Sequence, residues 1–106
     1  MLTTLLQLLH MVFYTYIAAC TSRSTLYVGV TDDMLEQMAA LKTGVGNPHT
    51  RRYLIRDLVY FEVYPTLPLA MARARKLKRW RRAWKNALIE KQNPKWRDLT
   101  MEVSFR

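Results

Sequence analysis

Three shortages narrow the reading of this 106-residue chain before any motif is considered. The first is cysteine, present once as Cys20. No intrachain disulfide can form, and a multi-cysteine zinc site is excluded. Cys20 reads as a small hydrophobe at the end of a strand, and a reducing, cytoplasmic compartment is the expectation. The second is early positive charge: no lysine or arginine precedes Arg23. The opening "MLTTLLQLLHMVFYTYIAAC" therefore lacks the basic start of a secretory signal, although Ile17-Ala18-Ala19-Cys20 looks like a lipoprotein cleavage box. Thr3, Thr4, Gln7, His10 and Thr15 interrupt it, so it is not the run of about twenty apolar residues that a membrane span needs. The third is acid between Arg73 and Lys85, where none occurs. Eight of the seventeen lysines and arginines fall in that window, within a chain of net charge +9. A merely solvated helix face would interleave acids at i+4, so the block points to an anionic partner.

What is present suffices for one folded domain. Half the residues are hydrophobic and 11% aromatic, enough to bury a core. The chain divides into a short apolar extension (1–11), a domain (12–99) and a tail (100–106). Val12 to Ala19 and Thr25 to Val30 are β-branched and aromatic and flank the polar "TSRS", which predicts an antiparallel hairpin. In the right register, Tyr16 and Tyr27 share one face of it. Thr31-Asp32-Asp33 offers caps to a helix through "MLEQMAALK", and "TGVGNPHT" reads as a loop. "DLVYFEVY" is nearly continuously apolar and predicts a central strand covered on both faces. From Leu67 a helical pattern runs to about Lys91, with Ala70, Ala74, Leu77, Trp84 and Leu88 as an apolar stripe. A bend near Trp80 is allowed for, although no glycine or proline marks one. Asn93-Pro94 stops it. The order β-β-α-β-α, with a possible last helix, defines an α+β fold: a small, about three-stranded antiparallel or mixed sheet flanked by helices.

These residues resemble the GIY-YIG nuclease superfamily, and more closely its small stand-alone bacterial members. Tyr14-Thr15-Tyr16 matches the first signature at its final tyrosine, and Tyr27-Val28-Gly29 matches the second. "HTRRYLIRDLVYFEVY" is similar to the segment through the family's central strand. "RKLKRWRRAWKNALIEKQNPKWRDL" is similar to its carboxyl-terminal segment. The resemblance implies phosphodiester hydrolysis with one Mg or Mn ion. Two tyrosines stand beside the scissile phosphate, an arginine steadies the developing charge, a histidine or tyrosine assists, and a glutamate holds the metal. Carried over by position, the tyrosines are Tyr16 and Tyr27, the motif glycine is Gly29, and Asn93 matches an Asn-Pro element. The arginine position holds Gln37, the histidine position Leu41, and the glutamate position Ala74.

The expectation is therefore a nuclease-family domain without its charged catalytic groups. No metal ligand is assigned, no small-molecule cofactor is called for, and no membrane partner is expected. Binding of nucleic acid, DNA foremost, falls to Arg51, Arg52, Arg73, Arg75, Lys76, Lys78, Arg79, Arg81, Arg82 and Lys85. Trp80 and Trp84 can stack on unpaired bases or serve the core, and the stripe places Trp84 in the core. One alternative is an active endonuclease using displaced side chains such as Glu36, Glu62 or His49. Another is a module whose charge meets an acidic protein.

Overall fold

The computed structural model describes residues 11–103; His10, most of the expected apolar extension and the last three residues lie outside that range. Strand β1 (Phe13–Cys20) turns back through residues 21–25 into β2 (Leu26–Thr31). Helix α1 (Met34–Lys42) follows, and Asp33 caps it by accepting from the Glu36 amide at 3.1 Å. The segment expected as a plain loop holds a short helix, α2 (Pro48–Arg52). Asn47 caps α2, and Pro48 occupies its first turn, where a missing N–H costs nothing. Strand β3 (Ile55–Tyr64) leads to α3 (Leu67–Arg79), α4 (Arg82–Gln92) and α5 (Thr100–Val103). Val103 is buried in the core, so the packed unit extends beyond the expected boundary at residue 99.

The sheet is antiparallel with order β2-β1-β3. The central strand is thus β1, not β3 as the apolar run of β3 suggested. The run has two causes. A register irregularity beside Val59 sends both Val59 and Tyr60 to one face, while Leu58 and Phe61 serve the other. The outer edge of β3 is also covered by the carboxyl-terminal segment. The Leu99 amide donates to the Leu58 carbonyl at 2.7 Å, the Leu58 amide to Asp98 at 3.2 Å, and Asn93 Nδ2 to the Val59 carbonyl at 3.1 Å.

Each sheet face carries its own core. On the first, Tyr16, Ala18, Leu58 and Phe61 pack against Met34, Met38 and Leu41 of α1, with Leu99 and Val103. On the second, Ile17, Ala19, Val28 and Tyr60 meet Ala74 and Leu77 of α3, Ile89 of α4, and Trp96. Burial of each large aliphatic side chain contributes about 1.5–3 kcal/mol. The long helical pattern is broken without glycine or proline. Trp80 (ψ 148°) and Arg81 (ψ 151°) are both extended, ending α3 and starting α4. The apolar stripe therefore fails at Trp84, which is 53% exposed, while α4 packs on the second core through Ile89, with Leu88 partly buried against it. Trp84 is a surface residue, contrary to its place on the stripe.

Candidate nucleic-acid interface

Register settles how the tyrosines meet. Tyr16 faces Gly29 and Ala18 faces Tyr27 across the hairpin, so both phenols project from the same face, with ring centroids 6.2 Å apart. Gly29 has a steric reason to be there. A Cβ on it would fall 2.5 Å from Cζ and Oη of Tyr16, whose ring lies across the strand at this point. Tyr16 is buried at 1% exposure, while Tyr27 is half-buried at the rim. Burial pushes the Tyr16 phenol well above the usual tyrosine range; Tyr27 adds to this, and a hydrogen bond with Gln37 opposes it. Tyr27 is consequently the phenol available to a ligand.

Gln37 thus stands at the tyrosine pair, where the resemblance places an arginine. Leu41, one turn later, points into the core and is buried with Met34 and Met38. The loop before α2 adds two residues to the rim. Asn47 donates from Nδ2 to Tyr27 Oη at 3.0 Å while its Oδ1 caps α2. The His49 ring then lies 6.1 Å from Tyr27 and 4.9 Å from Tyr53. Neither placement is visible in the sequence, because "NPHT" resembles any loop.

On the other side of β2, a cleft of about 310 Å³ separates the strand from α3. Tyr27, Val28, Gly29 and Val30 form one wall; Leu67, Met71, Ala74, Arg75 and Lys78 form the other. Ala74 therefore reaches the strand that carries Tyr27, but from the sheet face opposite the two phenols, and the lining holds two cations and no carboxylate. Asn93 lies elsewhere. It is buried against the β3 edge, donating to the Val59 and Arg97 carbonyls and accepting from the Arg97 amide at 3.0 Å. Those bonds give it a structural task.

The basic residues divide by partner. Arg73 forms a paired hydrogen-bonded contact with Glu62, 3.0 Å at its closest, and Glu62 also accepts from the Tyr60 and Tyr64 hydroxyls. Burial raises the Glu62 pKa, but these donors outweigh it and hold the carboxyl below its ordinary range. Arg82 donates to the Arg23 and Ser24 carbonyls and to Asn86. Arg51 and Arg52 belong to α2, on the Tyr27 side of the sheet. Arg75, Lys76, Lys78, Arg79 and Arg81 are exposed along α3 and its junction with α4, and Lys85 is partly buried beyond them. The charge-balancing acid for Arg73 comes from β3, eleven residues upstream, which no i+4 pattern can reveal.

A three-stranded sheet with paired tyrosines on its first hairpin, a glycine beneath them and a helix across the second strand defines a nuclease-like α+β domain. The GIY-YIG catalytic domain family matches residues 12–87, and the chain belongs to that family. A UPF0213 protein of Haloquadratum walsbyi is 34% identical over 77 residues, covering 73% of this chain and 85% of that protein. One from Streptococcus pyogenes is 37% identical over 59 residues, covering 56% of this chain and 63% of that protein. The solution NMR structure of a UPF0213 protein from Bacillus halodurans aligns with a TM-score of 0.52 at 27% identity, covering 85% of this chain and 95% of that one. Among the described residues, no helix is long and apolar enough to cross a membrane.

Proposed function

We propose that this chain binds nucleic acid, DNA foremost, and has lost metal-dependent phosphodiester hydrolysis. The carrying observation is the cleft between β2 and α3. Ala74 stands where a metal-holding carboxylate is expected, while Arg75 and Lys78 keep the lining attractive to phosphate. The donor set does not suit Mg or Mn. Hard cations take oxygen ligands, an alanine methyl offers none, and two cations repel the ion. Glu62 is no substitute, because Arg73 and two tyrosines occupy its oxygens. Gln37 can donate a hydrogen bond but cannot act as a charged guanidinium clamp. Losing one such donor costs on the order of a hundredfold in rate.

A second reading rests on one contact: His49 beside Tyr27 puts an imidazole at the rim, so an endonuclease with displaced groups is the competing function. Cleavage of labelled single- and double-stranded DNA with Mg²⁺ or Mn²⁺ decides between them. The comparison is the native chain against Gln37→Arg/Leu41→His/Ala74→Glu. Because Leu41 and Ala74 are both buried, Gln37→Arg/Ala74→Glu and Gln37→Arg/Leu41→His accompany it, each checked for folding by circular dichroism. Native protein is expected to bind and not cut. Native cleavage that His49→Ala abolishes would establish the second reading instead. In the binding arm, Arg75→Glu/Lys78→Glu should weaken DNA binding and shallow its salt dependence by about one phosphate contact per residue. Unchanged binding would remove the cleft from the interface. Preference for an acidic protein that DNA cannot displace would point to a protein-interaction module.

A further inference from the structure

We infer that Trp84, with Arg81 over its ring, is a stacking site for an unpaired nucleobase at the junction of α3 and α4. The inference rests on the nucleic-acid reading above and adds to it a site outside the cleft. Its origin is the break at Trp80–Arg81. Had α3 continued, Trp84 would follow Leu77 at i+7 and face the sheet. Instead α4 starts a new phase and buries Ile89, and Trp84 lies five residues away from it, about 140° around the helix. The indole is left 53% exposed.

A lone exposed apolar side chain would need no explanation. Two further features select Trp84. Its ring meets Trp80 edge-on, at 6.1 Å between centroids and 85° between planes. Trp80 is in turn fixed against the second core and under the Arg73 guanidinium, 5.1 Å from its ring. Trp84 is thus oriented before any ligand arrives, which lowers the ordering cost of binding. The Arg81 guanidinium also lies 5.5 Å from the Trp84 ring centroid, bringing positive charge to the same point. Arg79 is exposed next to the break, and the first turn of α4 has no acid and no side-chain cap. A flat apolar ring among cations suits a base carried on a phosphodiester chain: the base takes the ring and its phosphates take the charge. In a duplex the bases are stacked on one another and cannot reach it.

The test is fluorescence anisotropy with labelled oligothymidylate against an abasic oligomer of equal length and charge, at one salt concentration. Native protein should bind the thymidylate roughly 5- to 100-fold more tightly. Trp84→Ala should bring that ratio close to one while leaving abasic binding unchanged, and Trp84→Phe should keep part of it. Acrylamide quenching provides a second readout, since Trp84 is the most exposed of the three tryptophans. Thymidylate should shield it and the abasic oligomer should not. Equal binding of both oligomers by native protein, or an unchanged ratio in Trp84→Ala, overturns the stacking site and leaves the nucleic-acid reading intact. Failure of native protein to bind either oligomer at low salt overturns the stacking site, and failure to bind duplex DNA as well overturns the nucleic-acid reading. If Trp84→Ala instead dissolves a self-associated species in sedimentation, the ring is a contact between copies and the stacking site is overturned.

Discussion

Replacing Gly29 by alanine adds one methyl group, yet it should be among the costlier single changes in this domain. The new Cβ would lie 2.5 Å from Cζ and Oη of Tyr16 and 2.8 Å from Cε1. A ring on a flexible, exposed arm could swing away. Tyr16 is 1% exposed, packed among Ala18, Met34, Met38 and Phe61, and in hydrogen-bonding reach of Gln37. Interiors packed at crystal-like density yield by shifting backbone or forcing side chains off their rotamers, which costs about 1–3 kcal/mol. For a domain of this size each kcal/mol lowers Tm by about 4–8 °C. Urea denaturation followed by circular dichroism measures the loss, and a double-mutant cycle with Tyr16→Leu assigns it. Leucine has no atoms at the ring positions, so in that background Gly29→Ala should cost little. The coupling should exceed about 1 kcal/mol. If Gly29→Ala changes stability by less than about 0.5 kcal/mol, or adds independently to Tyr16→Leu, the ring is not held against the strand and the reasoning fails.

Three further outcomes follow from contacts in the structure. Glu62→Gln should cost about 1.5–3 kcal/mol at neutral pH, the usual worth of hydrogen bonds to a charged group. Because the native carboxyl is held below its ordinary range, its contribution is complete above about pH 4.3 and fades as pH falls through the native value. Stability of the variant should therefore fall less on acidification, and parallel acid limbs would contradict the network. Asn93→Ala leaves three backbone groups without their side-chain partner, the Val59 and Arg97 carbonyls and the Arg97 amide. At about 1–3 kcal/mol for each one that water does not reach, a stability loss of about 2–4 kcal/mol with unchanged DNA affinity of the folded fraction is expected. A selective affinity loss without destabilisation would place Asn93 in the interface. At Cys20, burial raises the thiol, but hydrogen bonds with Ser22, Ser24 and the Thr25 amide bring it down to about 6. Thiolate absorbance should appear near that pH and move upward in Ser22→Ala/Ser24→Ala; a native transition above about pH 8 would disprove the bonding.

The hairpin was legible because strand residues alternate around a polar turn, and that alternation places Tyr16 and Tyr27 on one face. The helix cap at Asp33 was legible for the same local reason. Central position was not. Leu58 to Phe61 are uniformly apolar because a register irregularity and the carboxyl-terminal segment cover them, which mimics the signature of a middle strand. Trp84 was misplaced because phase was carried across a break formed by two ordinary residues, Trp80 and Arg81, in extended conformation. That Ala74 packs against β2 on the face opposite the phenols was not legible, since residues 29 and 74 share no local pattern. The pairing of Arg73 with Glu62, and His49 beside Tyr27, are tertiary facts of the same kind.

The seal on β3 also has a consequence in time. Synthesis proceeds from the amino terminus, so all three strands leave the ribosome before Asn93, Asp98 and Leu99 do. During that interval the Leu58 amide and the Leu58 and Val59 carbonyls have no partner, and β3 presents a bare border to any neighbouring nascent chain. The segment from Asn93 to Leu99 thus closes the β3 edge against other chains, and a chain cut short before Asn93 would leave that edge open.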